Sequence, residues 1–303
     1  MSSSAPPATK HDAALSETVR FLESGEALAQ IAADPYWPKW EAPWWRMGLL
    51  WEMGRADEIP QAAVRAMVTA INGHYLRDFP AAEGDLPPGK DPYLDVICHC
   101  AVGVMYQILH ACGVAVDEEI PWLRPWLLRY QLPDGGLNCD FGKKVGSLVS
   151  TTAALEAILH CTPRPYTAAE LNFMTRAANY LLERKLGWKK STGEVINPDW
   201  LTPAFPRFYE YDILRGLTVV TQWVEKTGTT LDSESVQDAT SALEKFFNSK
   251  APVRRSHLQI RSLRQSANGE WMKESAKSFP LLEISAQLEY GLTILRREWE
   301  ALR

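Results

Sequence analysis

The sequence predicts an all-α protein, an α/α toroid of about five to six helical hairpins with inner and outer helices alternating. Three observations carry that expectation. Apolar residues recur at helical spacing along nearly the whole chain. No segment shows the period-two alternation of a half-buried strand. The helices are also of two kinds. Residues 93–112, 147–161 and 208–225 are apolar nearly all round, whereas 60–77, 167–185 and 233–249 are amphipathic with a charged face. A helix apolar all round is buried and an amphipathic one lies at the surface. The starts recur roughly every 40–60 residues, as in helical-hairpin repeats. An open solenoid of the same hairpins is the competing architecture. Bulky aromatics between the helices favour a closed ring with a pocketed end.

Each element has its own signal. "ALSETVRFLESGEALAQIAAD" places Leu15, Val19, Leu22 and Leu28 at helical spacing. "WWRMGLLWEMG" runs to a stop at Gly54, and Pro60 suits the first turn of the next helix. "PYLDVICHCAVGVMYQILHACG" is apolar throughout and ends at Gly113. Pro121 and Pro125 confine any helix there to short pieces. Thr167, with Glu170 three residues on, forms a capping box. The last helix is expected within "PLLEISAQLEYGLTILRREWEAL". Residues 1–11 read as a disordered leader and 12–303 as a single toroid domain.

Composition narrows the function. Of 303 residues, 46% are hydrophobic and 23% charged, a globular balance. The net charge of −5, without a long basic run, argues against a nucleic-acid partner. No apolar stretch reaches the roughly 18 residues of a membrane span. Five cysteines, an odd count without a signal peptide, suit thiols in a reducing compartment, so a cytoplasmic location is expected. Five of the twelve tryptophans fall within residues 37–51. Tryptophan packs cores and also walls pockets.

Two loops share a pattern. "RYQLPDGGLNCD" has Gln131, a spacer, then Asp134-Gly135-Gly136. "IRSLRQSANGEWMKE" has Gln265, a spacer, then Asn268-Gly269-Glu270-Trp271. A degraded third copy is "ERKLGWKKSTGEVINPDW". The pattern resembles the Q-x(2–5)-[DN]-G-x-[WFL] repeat of the prenyltransferase and squalene-cyclase superfamily of α/α toroids. It implies a joint between an outer and an inner helix, with Gln bonding backbone groups at helix ends and Gly taking left-handed turns. These residues read as structural. The cyclases' D-x-D-D proton donor and the prenyltransferases' D-x-C zinc pair are both absent from this chain. What the resemblance implies is therefore a toroid with an apolar cavity at the inner-helix N-termini, and neither activity.

Candidate site residues follow from that placement. Trp40, Trp44 and Trp45 start the first inner helix, and Tyr93, Asp95 and His99 start the second. Cys139 and Asp140 approach the third; Arg207, Phe208, Tyr211 and Asp212 lead into the fourth. Lys273, Lys277 and Glu283 are expected on the fifth. Asp95 and His99 are four apart, share one helix face and make a general acid–base pair; the plain alternative is a core histidine. Cys139 suits a nucleophile or acid, or simply a small buried hydrophobe. Asp212 also suits the first turn of a helix. No cofactor is predicted. Zinc would draw on Cys98, His99, Cys100, Cys139 and Asp140, but Cys98 and Cys100 on one helix would point about 200° apart. The expected activity is acid–base chemistry on a small, largely apolar substrate, by cyclisation, isomerisation or elimination. A non-catalytic binding or scaffold toroid and a carbohydrate-active toroid are the alternatives.

Overall fold

Helix boundaries follow local capping chemistry. A computed structural model describes residues 10–73, 98–139, 143–249, 251–255, 261–266, 268 and 270–303. The expected leader falls almost wholly outside them. The first periodic stretch folds as two helices, α1 (Lys10–Glu23) and α2 (Gly25–Ala33). Ser24 divides them, because its extended backbone and its hydroxyl, accepting from the Ala27 N–H at 3.1 Å, cap α2. Then come α3 (Pro43–Glu52), α4 (Gln61–Gly73), α5 (His99–Ala111), and the short α6 (Val116–Glu119) and α7 (Leu123–Arg129). The series continues with α8 (Leu148–His160), α9 (Ala168–Leu182), α10 (Ile213–Thr227) and α11 (Glu234–Phe247). Thr167 and Glu170 form the expected capping box on α9. The last periodic stretch also divides, into α12 (Pro280–Ser285) and α13 (Leu288–Ala301).

Burial separates the helices as their composition predicts. In α5, His99 through Leu109 are buried without a break, and in α8 so are Ser150 through Leu159. By contrast, α9 and α11 bury one face only. α5 packs between α3 and α8, and α8 in turn packs on α9 and α10. α2 lies on α4, and α1 touches both α2 and α12. A side chain at Gly103 of α5 would lie 2.6 Å from the Ala153 carbonyl of α8, so these two backbones meet with no room for a methyl group. Among the described residues, no helix is long and apolar enough to cross a membrane.

Among the described residues the fold is all-α but for one two-stranded ribbon, β1 (Arg261–Gln265) paired antiparallel with β2 (Trp271–Ser275). Gln265 stands opposite Trp271. This corrects the reading of 265–271 as a helix-to-helix joint and of Lys273 as an inner-helix residue. The Ser266 N–H donates to the Glu270 carbonyl at 2.8 Å where the two strands are joined. Arg264 holds the ribbon by ion pairs to Glu274 at 2.9 Å and to Glu41 at 2.5 Å. Buried Ser262 accepts the Lys39 N–H at 2.8 Å. The other joint behaves as expected. Gln131 donates to the carbonyls of Gly135 at 2.8 Å and Phe173 at 2.9 Å. Gly135 has φ +90°, and a side chain there would meet the Arg176 carbonyl at 2.5 Å.

Candidate functional site

A charge inside an apolar helix persists only when it is paired. α8 carries Glu156 and α10 carries Arg215, and the two meet in a bidentate pair, Nε–Oε1 2.8 Å and Nη2–Oε2 2.6 Å. Gln107 of α5 adds a bond to Glu156 at 3.2 Å. Arg215 is completed by the Glu210 carbonyl at 2.9 Å. Beside it, Asp212 caps α10 by accepting the Arg215 N–H at 2.9 Å. It also accepts from the Ala204 N–H at 2.9 Å and Arg207 Nε at 2.7 Å. Arg207 reaches on to Glu298 of α13 at 2.8 Å, and Glu298 accepts from Thr218 at 2.6 Å.

Glu52, the last residue of α3, faces this network. One of its oxygens accepts the Arg207 N–H at 2.7 Å and the other accepts the Phe208 N–H. Phe208 takes a left-handed backbone, φ 54°, to present that N–H. Glu52, Glu156, Arg207, Arg215 and Glu298 line a cavity of about 350 Å³, with Trp51 and Phe208 as its aromatic walls. The carboxyl groups are tuned in opposite directions. Burial lifts Glu52 to about 7, against the pull of its two N–H donors and the arginines. Burial also pushes Glu156 up, but Arg215 more than offsets it, leaving Glu156 below the ordinary value. Burial lowers His160, at the end of α8, despite the nearby Glu156.

A second polar cluster sits at the start of α5. Cys98 precedes the helix with a left-handed backbone, φ 56° and ψ 48°. Its sulfur lies 3.7 Å from that of Cys100. This corrects the expected divergence of the two side chains, because the helical angle applies only between helical residues and α5 begins at His99. Cys139 brings its sulfur to 3.6 Å from Cys100 and 3.2 Å from Ser150 Oγ. All three sulfurs lie within 4.8 Å of one another, the one set of side chains among the described residues arranged to hold a metal. His99 is 3% exposed and lies within reach of the Cys139 sulfur, yet neither ring nitrogen completes a hydrogen bond among the described residues. Burial raises the Cys139 thiol, but its contacts with Cys100, Cys98 and His99 outweigh burial and bring it well below the ordinary thiol value. Cys100, the partner in that contact, is pushed up.

The described residues among those singled out at the first four inner helices fall into three groups. Arg207, Phe208 and Asp212 gather at the cavity, with Asp212 behind the wall, its carboxylate committed to Arg207 and the backbone. His99 and Cys139 belong to the thiol cluster, about 12 Å from Gln107 along α5 at 1.5 Å per residue. Trp40, Trp44 and Trp45 are packed core. Trp40 stacks on Phe208 at 4.8 Å, and Trp45 donates to the Tyr36 carbonyl at 2.8 Å. Tyr211 is buried and donates to the Leu186 carbonyl at 2.6 Å. Tyr93, Asp95 and Asp140 lie outside the described residues, and so does the expected Asp95–His99 pair.

The cavity also differs from expectation in position. Its walls include the last residues of α3 and α8, Glu52 and His160, together with the first turn of α10 at Arg215, so of the expected inner-helix N-termini that of α10 lies at it. The segment before α10 crosses to the end of α3 and delivers the Arg207 and Phe208 N–H groups there. Glu52, Glu156 and Arg215 escaped the sequence reading. For Glu156 and Arg215 the signal was a charge inside an otherwise apolar helix, "AALEAILH" and "ILRGLTVV", which burial makes costly without a partner. Glu298, among the charges of "RREWEAL", gave no such signal. No family model, curated protein or solved structure matches the chain.

Proposed function

We propose that the protein is an enzyme that moves a proton on a small polar molecule bound in the cavity, with Glu52 as general base. One observation carries this reading. Two carboxyl groups line one cavity, and their surroundings drive them apart, Glu52 up to about 7 and Glu156 down. Such divergence divides acid–base roles at neutral pH. A base that titrates near the working pH combines readiness with driving force. Each Glu52 oxygen accepts one backbone N–H, which fixes the carboxylate plane and leaves a lone pair on each oxygen for substrate.

The same network selects the substrate class. Arg207 is engaged by Asp212 and Glu298, and Arg215 by Glu156 and the Glu210 carbonyl. Each guanidinium therefore has its charge matched by at least one carboxylate. Three carboxyl groups against two guanidiniums, beside the Trp51 and Phe208 rings, favour a neutral or cationic polar molecule. We favour this class over the largely apolar substrate that the toroid resemblance implied, because charged groups line the cavity and Trp40, Trp44 and Trp45 pack against protein. The series α3–α5–α8–α10, with α1 reaching α12, supports closure of the helices into a toroid around the cavity. A sugar-cleaving reading draws on the same pair, with protonated Glu52 as the acid and ionised Glu156 opposite. It ranks second because Glu156 is bound bidentately by Arg215.

The test is incubation of the protein with pooled cationic, neutral and anionic small metabolites, followed by mass spectrometry and thermal shift. The expected result is conversion of a neutral or cationic compound by the wild type, and stabilisation without conversion in Glu52→Gln. Equal conversion by Glu52→Gln, or stabilisation by anions alone, contradicts the proposal.

A further inference from the structure

We propose that Cys98, Cys100 and Cys139 bind a zinc ion, with His99 as the fourth ligand. This site is separate from the cavity, and neither reading depends on the other. Tetrahedral zinc with bonds to sulfur of about 2.3 Å sets neighbouring sulfurs about 3.8 Å apart. The observed separations are 3.7 Å for Cys98–Cys100 and 3.6 Å for Cys100–Cys139. Two of the three sulfur–sulfur edges therefore already match the polyhedron that zinc requires, and the third is within 4.8 Å. The left-handed backbone at Cys98 brings this about by turning its sulfur back toward Cys100.

His99 is the independent observation. An imidazole 3% exposed and lacking a completed hydrogen bond among the described residues is expensive, because buried polar groups are normally paired. The ring is near enough to act on the Cys139 thiol, and its rotation would bring one nitrogen to a zinc held by the three sulfurs. Three thiolates and an imidazole make a closed Cys₃His set of the kind found in structural zinc sites. The ion would clip the start of α5 to the segment that follows the Gln131 joint. An entry path exists, since Cys100 and Cys139 also line an open groove of about 580 Å³.

Zinc binding requires the thiols to lose their protons. The bound metal should then shield them from alkylation. The experiment uses the intact protein, loaded with Zn²⁺ or Co²⁺ and treated with iodoacetamide before and after chelation. Metal content and peptide mass maps are the readouts. One zinc per chain is expected, with Cys98, Cys100 and Cys139 protected until the chelator is added and Cys112 labelled equally in both conditions. Co²⁺ should give sulfur-to-cobalt charge-transfer absorption. Cys139→Ser should abolish that band while Cys112→Ser keeps it, and His99→Ala should weaken binding about tenfold or more. Failure of wild-type protein to take up either metal overturns the proposal. So does labelling unchanged by chelation, or protection traced to disulfide-linked peptides.

Discussion

At the scale of single residues, the deciding feature is pairing. Glu156 and Arg215 lie in a low-dielectric interior where each is stable only because the other is present. Arg215→Met leaves a buried carboxylate uncompensated and should cost about 3–5 kcal/mol in denaturant unfolding. Arg215→Met combined with Glu156→Leu removes both charges and should recover most of that loss. Equal costs for the single and double variants would contradict this account. The same pairing explains which residues the sequence disclosed. Glu156 and Arg215 could have been recognised as charges out of place. Glu52 could not, since a glutamate at a helix end is ordinary, and it becomes unusual only through the N–H groups delivered from residues 207 and 208. Cys98 was misjudged for the reverse reason, because its geometry departs from the helical rule that sequence spacing assumes.

At the scale of elements, the periodicity of the sequence found the helices and their burial but not their joints. α5, α8, α9 and α11 match the expected segments because continuous or one-sided apolar faces leave little choice of partner surface. The joints depend on short-range chemistry. Ser24 splits one long periodic stretch, and residues 261–265 and 271–275 pair as strands where the repeat pattern implied a joint between helices. The two loops that look alike in sequence diverge because Gln131 finds the Gly135 and Phe173 carbonyls, whereas residues 261–265 find a partner strand. Close packing between elements is equally specific. The α5–α8 contact depends on Gly103, which lies against the Ala153 carbonyl. Gly103→Ala should lower stability by about 1–3 kcal/mol despite the higher helix propensity of alanine. A neutral or stabilising effect in thermal unfolding would show that the helices separate easily.

At the scale of the whole molecule, the buried carboxyl groups shape how stability depends on pH. Burial pushes Glu170 up, but Arg164 and Thr167 outweigh it and bring it from 4.5 to about 2. Its folded value is depressed, so its contribution is present above pH 4.5 and is lost as pH falls toward 2, on the order of 2 kcal/mol. Glu52 acts in the opposite sense. Its folded value is raised from 4.5 to about 7, so the folded state binds the extra proton and stability declines as pH rises between those values. Relative to the wild type, Glu52→Gln should therefore lose the part of the pH dependence that declines above pH 4.5, and Glu170→Gln should flatten the acid side only. An unchanged acid limb in Glu170→Gln would remove that carboxylate from the account. The central claim rests on Glu52, and the titration of its carboxyl carbon by ¹³C NMR addresses it most directly. One glutamate resonance should titrate near pH 7 in the wild type and be missing from Glu52→Gln. If every glutamate in the wild type titrates below about pH 5, near the ordinary carboxylate range, Glu52 is not the base and the proposed chemistry fails.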